Sequence, residues 1–138
     1  MAQTLICHPG IGPDVEGIAL VASDDFSARY DLDRIKGVFS RPAHKLFGED
    51  YRERVLVLNN VKGGVASAWM LNEMASRNVK PAAFVFNRVN PILAQGAALA
   101  GLPLVDRFAD GDVTTLIRNG ERIRVRPSEG QVILLDRP

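Results

Sequence analysis

Residues 54–71 read RVLVLNNVKGGVASAWML, and within them Lys62, Gly63, Gly64 and Ser67 stand between an apolar run and the start of a helical pattern. A buried strand, a glycine turn and a helix N-terminus in direct succession suit an anion or a carboxylate. The first amides of a helix have no partner inside it, and the helix dipole favours negative charge there. Paired glycines let a ligand approach the backbone closely. On this reading Gly63 and Gly64 shape an anion-accepting turn, and Lys62 adds a point charge for a carboxylate or phosphate. Ser67, in the first helical turn, offers a hydroxyl for substrate binding or proton transfer. Its plainer role is to satisfy nearby main-chain amides.

A second group of candidates lies upstream. Ser27, Arg29 and Asp31 fall on a long segment, residues 23–42, where Arg29 is suited to clamp a carboxylate through two parallel hydrogen bonds. Arg41 and His44 flank Pro42, and His44 is one of 2 histidines in the chain. A histidine can act as acid or base near neutral pH. With no partner signalled in the sequence, a surface histidine is the plainer reading. Asn87 and Asn90 follow the second apolar strand, on the side where α/β sheets gather ligands, and Asn90 doubles as a helix cap. Zinc-ligand spacing and Ser-His-Asp order are missing. Lys62-Gly63-Gly64 also lacks the preceding glycine and following Ser or Thr of a P-loop. No metal site is expected in this chain.

The elements that must hold these residues follow from periodicity. Residues 1–16, with Pro9, Gly10, Gly12 and Pro13, read as an irregular lead-in. A first short strand is expected over 17–22. Residues 23–42 read as a long functional loop with one short strand, and 43–53 as polar and irregular. The apolar run 55–58 is a strand, followed by a helix over 65–77. Along that helix Ala66, Met70 and Met74 recur at spacing four and Val65 pairs with Trp69, which predicts one apolar face with Trp69 and the methionines in the core. Glu73 and Arg77 stand at i, i+4 in the favourable order, and Pro81 forbids continuation. A strand over 82–86 follows. Asn90-Pro91 then caps and opens a second helix that closes at Gly101. Leu104-Val105 begins a third strand. This alternation predicts parallel pairing with right-handed crossovers. Beyond Asp112, runs at 113–117, 122–126 and 132–135 are separated by Asn119-Gly120 and Glu129-Gly130, a hairpin pattern. Ile123 and Val125 alternate with Arg122, Arg124 and Arg126, so the arginines form a solvated face rather than a phosphate site. The fold class expected is α/β: a three-layer β/β/α domain with a βαβαβ core and antiparallel hairpins at the C-terminal end.

Composition bounds the rest. At 138 residues the chain is expected to form one domain, with 46% hydrophobic and 24% charged residues. A net charge of +1 gives no pull towards nucleic acid or an acidic membrane surface. No apolar run nears the roughly 20 residues that span a bilayer, and no leader pattern opens the sequence. A cytoplasmic location is the expectation. The single cysteine, Cys7, rules out an internal disulfide and any Cys-rich cluster built by this chain alone. Its neighbour His8 raises the idea of a reactive thiol, but an unremarkable cysteine is the simpler reading.

The order of these pieces resembles the small subunit, or swivel domain, of the aconitase X family, which includes archaeal phosphomevalonate dehydratase and bacterial hydroxyproline dehydratases. The resemblance runs over residues 17–105. It is carried by Gly17-Ile-Ala-Leu-Val21, Phe26-Ser27 with Asp31, Pro42 before Gly48, Val55-Leu-Val-Leu58, Lys62-Gly63, Leu71 with Glu73, Pro81-Ala-Ala83, Pro91-Ile92 and Gly96-Ala97. It implies a swivelling β/β/α domain packed on a larger subunit that carries an iron or iron–sulfur centre. The active site would lie between the two and dehydrate a small hydroxy acid. In the family pattern a serine that looks catalytic follows the loop glycine, and here that position is Gly64. The later serine position falls at Ala68, with Ser67 one place before. Ala28-Arg29-Tyr30 replaces an aromatic-glycine pair, and Arg41 stands in place of a histidine. Two readings result: a divergent hydro-lyase subunit that uses Ser67, Lys62 and His44 for chemistry and Gly63, Gly64, Ser27, Arg29, Asp31 and Arg41 for binding, or a non-catalytic binding or regulatory module of such a complex.

Overall fold

The computed structural model of the chain describes residues 3–62 and 64–135, and for Arg29 the backbone alone. Among these residues the strands are β1 (Gln3–Ile11), β2 (Val15–Val21), β3 (Leu32–Asp33), β4 (Val38–Phe39), β5 (Val55–Asn60), β6 (Ala83–Arg88), β7 (Leu104–Phe108), β8 (Arg122–Arg126) and β9 (Gln131–Leu134). The helices are α1 (Ala28–Asp31), α2 (Val65–Ser76), α3 (Pro91–Ala100) and α4 (Val113–Leu116). Seven strands close into a ring in the order β1-β7-β6-β5-β2-β8-β9. The β2-β5-β6-β7 pairings are parallel and all the others in the ring antiparallel. β1 and β2 are the corners. Each gives one half to the antiparallel side and the other half to the parallel side.

Alternation along the parallel strands creates the layers. Val55, Val57, Ala83, Val85 and Val105 point into the ring and meet Leu5, Ile123, Val125, Val132 and Leu134. Leu56, Leu58, Phe84 and Phe86 point outward to Leu71 and Met74 of α2 and Leu93 and Ala97 of α3. A strand buried on both faces must be apolar at every position, so VLVL is unbroken where an exposed strand would alternate. Antiparallel sheet, parallel sheet and helices thus form the three-layer arrangement expected. Among the described residues no helix is long and apolar enough to cross a membrane.

Four local expectations are corrected. Residues 1–16 are not an irregular lead-in, because β1 is a nine-residue strand with partners on both sides. Leu5 and Cys7 alternate with exposed Thr4, Ile6 and His8, a period of two that the prolines and glycines obscure. Gly10 is there because a side chain would run into the Leu104 carbonyl. The run 113–117 is not a strand but a single helical turn, α4. Asp112 caps it by accepting from the Thr114 amide at 3.0 Å and from the Thr114 hydroxyl at 2.7 Å. Asn119-Gly120 therefore closes no hairpin. It serves the edge of β2 instead, with Asn119 Oδ1 accepting from Val21 N at 2.9 Å and Gly120 N donating to Ala19 O at 2.8 Å. The buried face of α2 is Ser67, Leu71 and Met74, while Val65 and Trp69 are 61% and 67% exposed. A helix that is apolar on several sides does not fix its inward face by pattern alone. The segment 23–42 is more ordered than a loop: it carries α1 and the β3–β4 ribbon.

Other expectations hold. Asn90 Oδ1 accepts from Leu93 N at 2.8 Å, and Gly101 ends α3 at φ 72°. Glu73 and Arg77 pair at 3.3 Å. Arg122, Arg124 and Arg126 face outward and pair with Glu16 and Asp14 across the β2–β8 ladder. Cys7 is buried, and burial, with the Asp106 carboxylate nearby, pushes its thiol up to about 11. That is the opposite of a reactive thiolate.

Two predictions follow from packing and burial. A Cβ on Gly96 would sit 2.7 Å from the Ala68 Cβ and 2.8 Å from its Cα, whereas one on Gly64 would meet nothing within 4 Å among the described residues. Urea denaturation should find Gly96→Ala less stable by about 1–3 kcal/mol, with Gly64→Ala unchanged within about 0.5 kcal/mol. Burial also raises Tyr51 to about 12. Both groups are protonated in the fold and ionise more readily when unfolded, so their contribution is intact below about pH 9 and lost as pH rises through 11–12. Melting temperature against pH should fall on the alkaline side, and Cys7→Ala should flatten the part of that fall between pH 9 and 11.

Candidate functional site

Phe26 positions the site. It is fully buried, and its ring packs against Phe84, Phe86 and Phe39 at centroid distances of 5.7, 5.9 and 6.5 Å. Its amide donates to Asn60 O at 2.8 Å and its carbonyl accepts from Lys62 N at 2.7 Å. The chain leaving β2 is thereby held along the chain leaving β5, at the carboxyl ends of the parallel strands. Ser27 and Lys62 become neighbours although 35 positions separate them in sequence (62 − 27).

The result is a cleft of about 530 Å³ lined by Asp24, Asp25, Ser27, Tyr30, Asp31, Arg41 and Lys62. Asp31 is buried at its foot. One carboxylate oxygen accepts from the Ser27 amide at 2.8 Å and the other from Arg41 Nε at 2.5 Å. With Nε committed, the terminal nitrogens of Arg41 make no hydrogen bond among the described residues, and its side chain is 43% exposed. The Ser27 hydroxyl is buried and has no partner among the described residues. A buried hydroxyl left unpaired costs about 1–3 kcal/mol unless something accepts or donates to it. Lys62 Nζ lies 3.5 Å from Asp25 Oδ2 and its side chain is 71% exposed. The cleft thus holds two cationic groups, each steadied by a carboxylate on one side only, around an unsatisfied hydroxyl. Such a set can bind a carboxylate.

The other candidates divide. Gly64 is the N-cap of α2 at φ −129°, ψ −140°, beside the cleft residue Lys62. Gly63 and the Arg29 side chain lie outside the described residues. Ser67 is buried beside Leu71 and Met74 on the sheet-facing side of α2 and does not line the cleft. His44 is not a surface residue. Its ring packs tilted against Phe39 at a centroid distance of 4.8 Å, Nδ1 accepts from Leu46 N at 3.1 Å, and Nε2 faces Asp25 O at 3.3 Å. Both nitrogens are thus engaged by main chain, and the ring braces the segment that carries Asp25.

Sequence reasoning missed Asp25 and Asn59. Asp25 Oδ1 accepts from Asn59 Nδ2 at 3.1 Å and from the Asn60 amide at 3.2 Å. Asn59 Oδ1 accepts from Asn87 Nδ2 at 2.9 Å, and Asn87 also donates to Asp112 Oδ1 at 2.7 Å. Hydrogen bonds from Asn87 and then Thr114 hold the Asp112 carboxyl below the usual carboxylate range. One polar chain therefore crosses the strand ends from Lys62 to Asp112. The acidic doublet just past β2 and the Asn59-Asn60 doublet ending β5 were the available signals, since ligand-side groups gather at those ends. Among the described residues no three of His, Cys, Asp and Glu gather to hold a metal ion.

Residues 4–134 match the model of the aconitase X swivel domain. The phosphomevalonate dehydratase small subunit of Methanococcoides burtonii is 36% identical over 122 residues, 88% of each chain. That of Methanothrix thermoacetophila is 32% identical over 130 residues, 94% of this chain and 93% of the relative. The crystal structure of Thermococcus kodakaraensis aconitase X in its holo-form superposes with a TM-score of 0.89 at 22% identity, covering 97% of this chain and 99% of that one. With a family match across nearly the whole of its length, the chain belongs to the aconitase X swivel domain family.

Proposed function

We propose that the chain is the small subunit of a two-subunit aconitase X-like hydro-lyase that removes water from a small hydroxy acid. The observation that carries this reading is the cleft that presents Arg41 and Lys62 beside Ser27, whose buried hydroxyl has no partner among the described residues. A substrate carboxylate satisfies all three: it accepts from the hydroxyl, pairs with the terminal nitrogens of Arg41 and neutralises Lys62. Asp31 positions Arg41 through Nε and does not touch the substrate. The iron or iron–sulfur centre that the family implies is assigned to the large subunit, which closes the open side of the cleft and supplies the chemistry of C–O cleavage. Ser27 and Arg41 bind and orient, and Lys62 steadies negative charge as the hydroxyl departs.

A second reading, a binding or regulatory module without catalytic groups of its own, is favoured by one observation. Gly64 holds the place of the family serine, and Ser67 faces the sheet instead of the cleft. The two separate in a complex reconstituted with a large subunit of the aconitase X type. Under the first reading Arg41→Ala raises KM about ten- to a hundredfold and Ser27→Ala about tenfold, as expected for lost charge-assisted hydrogen bonds. Lys62→Ala should lower kcat. Unchanged steady-state constants in all three variants would favour the module, and failure of the two chains to associate would remove both readings. Gly64→Ser should fold normally, since a side chain there meets open space, and should raise kcat if the turn faces the reacting carbon.

A further inference from the structure

α2 and α3 lie side by side over the parallel sheet, and between them runs a groove of about 520 Å³. Its floor is formed where Gly96 meets Ala68 so closely that a Cβ on the glycine would fall 2.7 Å from the alanine Cβ. Its rims are Val65 and Trp69 on one helix and Ile92 and Leu99 on the other. All four are exposed, Trp69 by 67% and Leu99 by 75%. A single exposed leucine needs no explanation, but four large apolar side chains around one groove do. Together they leave roughly 450 Å² of apolar surface in water, within the roughly 300–600 Å² of the largest patch on a typical monomer, which is often functional.

The chemistry of this face is that of a surface able to meet its own copy. α3 has no charged residue, and α2 has only Glu73, which pairs with Arg77 at 3.3 Å. The polar residues in the groove, Asn72 and Gln95, are neutral amides. An amide carries donor and acceptor together and so complements its own copy, whereas a carboxylate or guanidinium meeting its copy near a two-fold axis is repelled. Groove and ridge also share one face, so the Trp69 ridge of one molecule has a groove to enter on another. Two such faces bury about 900 Å² of apolar surface before Asn72, Gln95 and the helix edges are counted, close to the roughly 1,200 Å² at which stable interfaces begin. The cleft assigned to the large subunit opens at the strand ends, whereas this groove runs along the outer side of the helices.

We infer that this face docks a second copy of the chain. α2 and α3 of one molecule meet α2 and α3 of the other about a two-fold axis, and Trp69 of each enters the groove of the other. The inference goes beyond the proposed function and does not depend on it. No residue lines both the groove and the cleft of Asp31, Arg41 and Lys62, so a paired chain still presents its cleft.

Analytical ultracentrifugation of the full chain tests this. The wild type should sediment as a reversible pair at micromolar concentration. Trp69→Glu and Leu99→Glu should each raise the Kd of the pair about a hundredfold. Gln95→Glu keeps the size of the side chain but puts a like charge on both copies, and should raise it about tenfold. Ile35→Glu, at an exposed apolar residue outside the groove, should leave it unchanged. Trp69 is the only tryptophan, so its emission should move to the blue as the wild-type concentration rises through Kd and stay red in Leu99→Glu. The substituted side chains are exposed, so circular dichroism spectra should match the wild type and separate lost pairing from misfolding. A wild-type chain that stays monomeric at every concentration, with red Trp69 emission throughout, overturns the inference. So does a pair that survives both Trp69→Glu and Leu99→Glu. A monomeric chain that binds a large subunit of the aconitase X type, and loses that binding in Trp69→Glu, would give the face to that subunit and equally overturn the pairing.

Discussion

Two main-chain hydrogen bonds, from the Phe26 amide to Asn60 and from the Lys62 amide to Phe26, set Ser27 and Lys62 side by side at the head of the cleft. They tie together two excursions that leave adjacent parallel strands in the same direction. A bond of this kind contributes only about 1 kcal/mol net, so it does not hold alone. The Phe26 ring, buried among Phe39, Phe84 and Phe86, supplies the larger share, about 1.5–3 kcal/mol for a buried phenylalanine. Position is thus bought with apolar burial one residue away from the polar groups that use it. The same economy appears at His44, whose ring packs against Phe39 while its nitrogens hold main chain.

What the sequence disclosed depended on whether a signal was local. The doubly buried strand 55–58, the Asn90-Pro91 cap and the Gly101 stop rest on neighbouring residues and were legible. So was the outward face of Arg122, Arg124 and Arg126, because a period of two shows within five residues. β1 was misjudged for the opposite reason. Its pattern of Leu5 and Cys7 is short, and Pro9 and Gly10 look like punctuation until β7 is seen lying against them. At α4 a run of β-formers was overruled by one aspartate that offers its oxygens to the following turn. Trp69 was placed in the core by its spacing from Val65, but a helix apolar on several sides chooses its inner face by fit to the sheet.

The site was read in pieces. Ser27, Asp31, Arg41 and Lys62 were named from residue type and resemblance, and the fold assembles them into one cleft. Nothing local could show that Asp31 holds Arg41 by one nitrogen, or that Asp25 and Asn59 join one strand end to the next, because those bonds cross 10 and 34 positions. His44 attracted attention through its titration range, but its packing makes it a brace. Residues that bind and residues that support binding share the same polar chemistry, and only their three-dimensional partners distinguish them.

The pairing of β1 with β9 sets Gln3 opposite Leu134. During synthesis the opening strand emerges long before its second neighbour exists, and the ring stays an open sheet until the final hairpin arrives. Until then both corner strands present bare edges able to recruit foreign chains. Ring closure therefore waits on the pairing of β1 with β9, which joins the first and last of the described strands. Production at reduced temperature or with a holdase present should change the yield of soluble material more than any adjustment of the cleft.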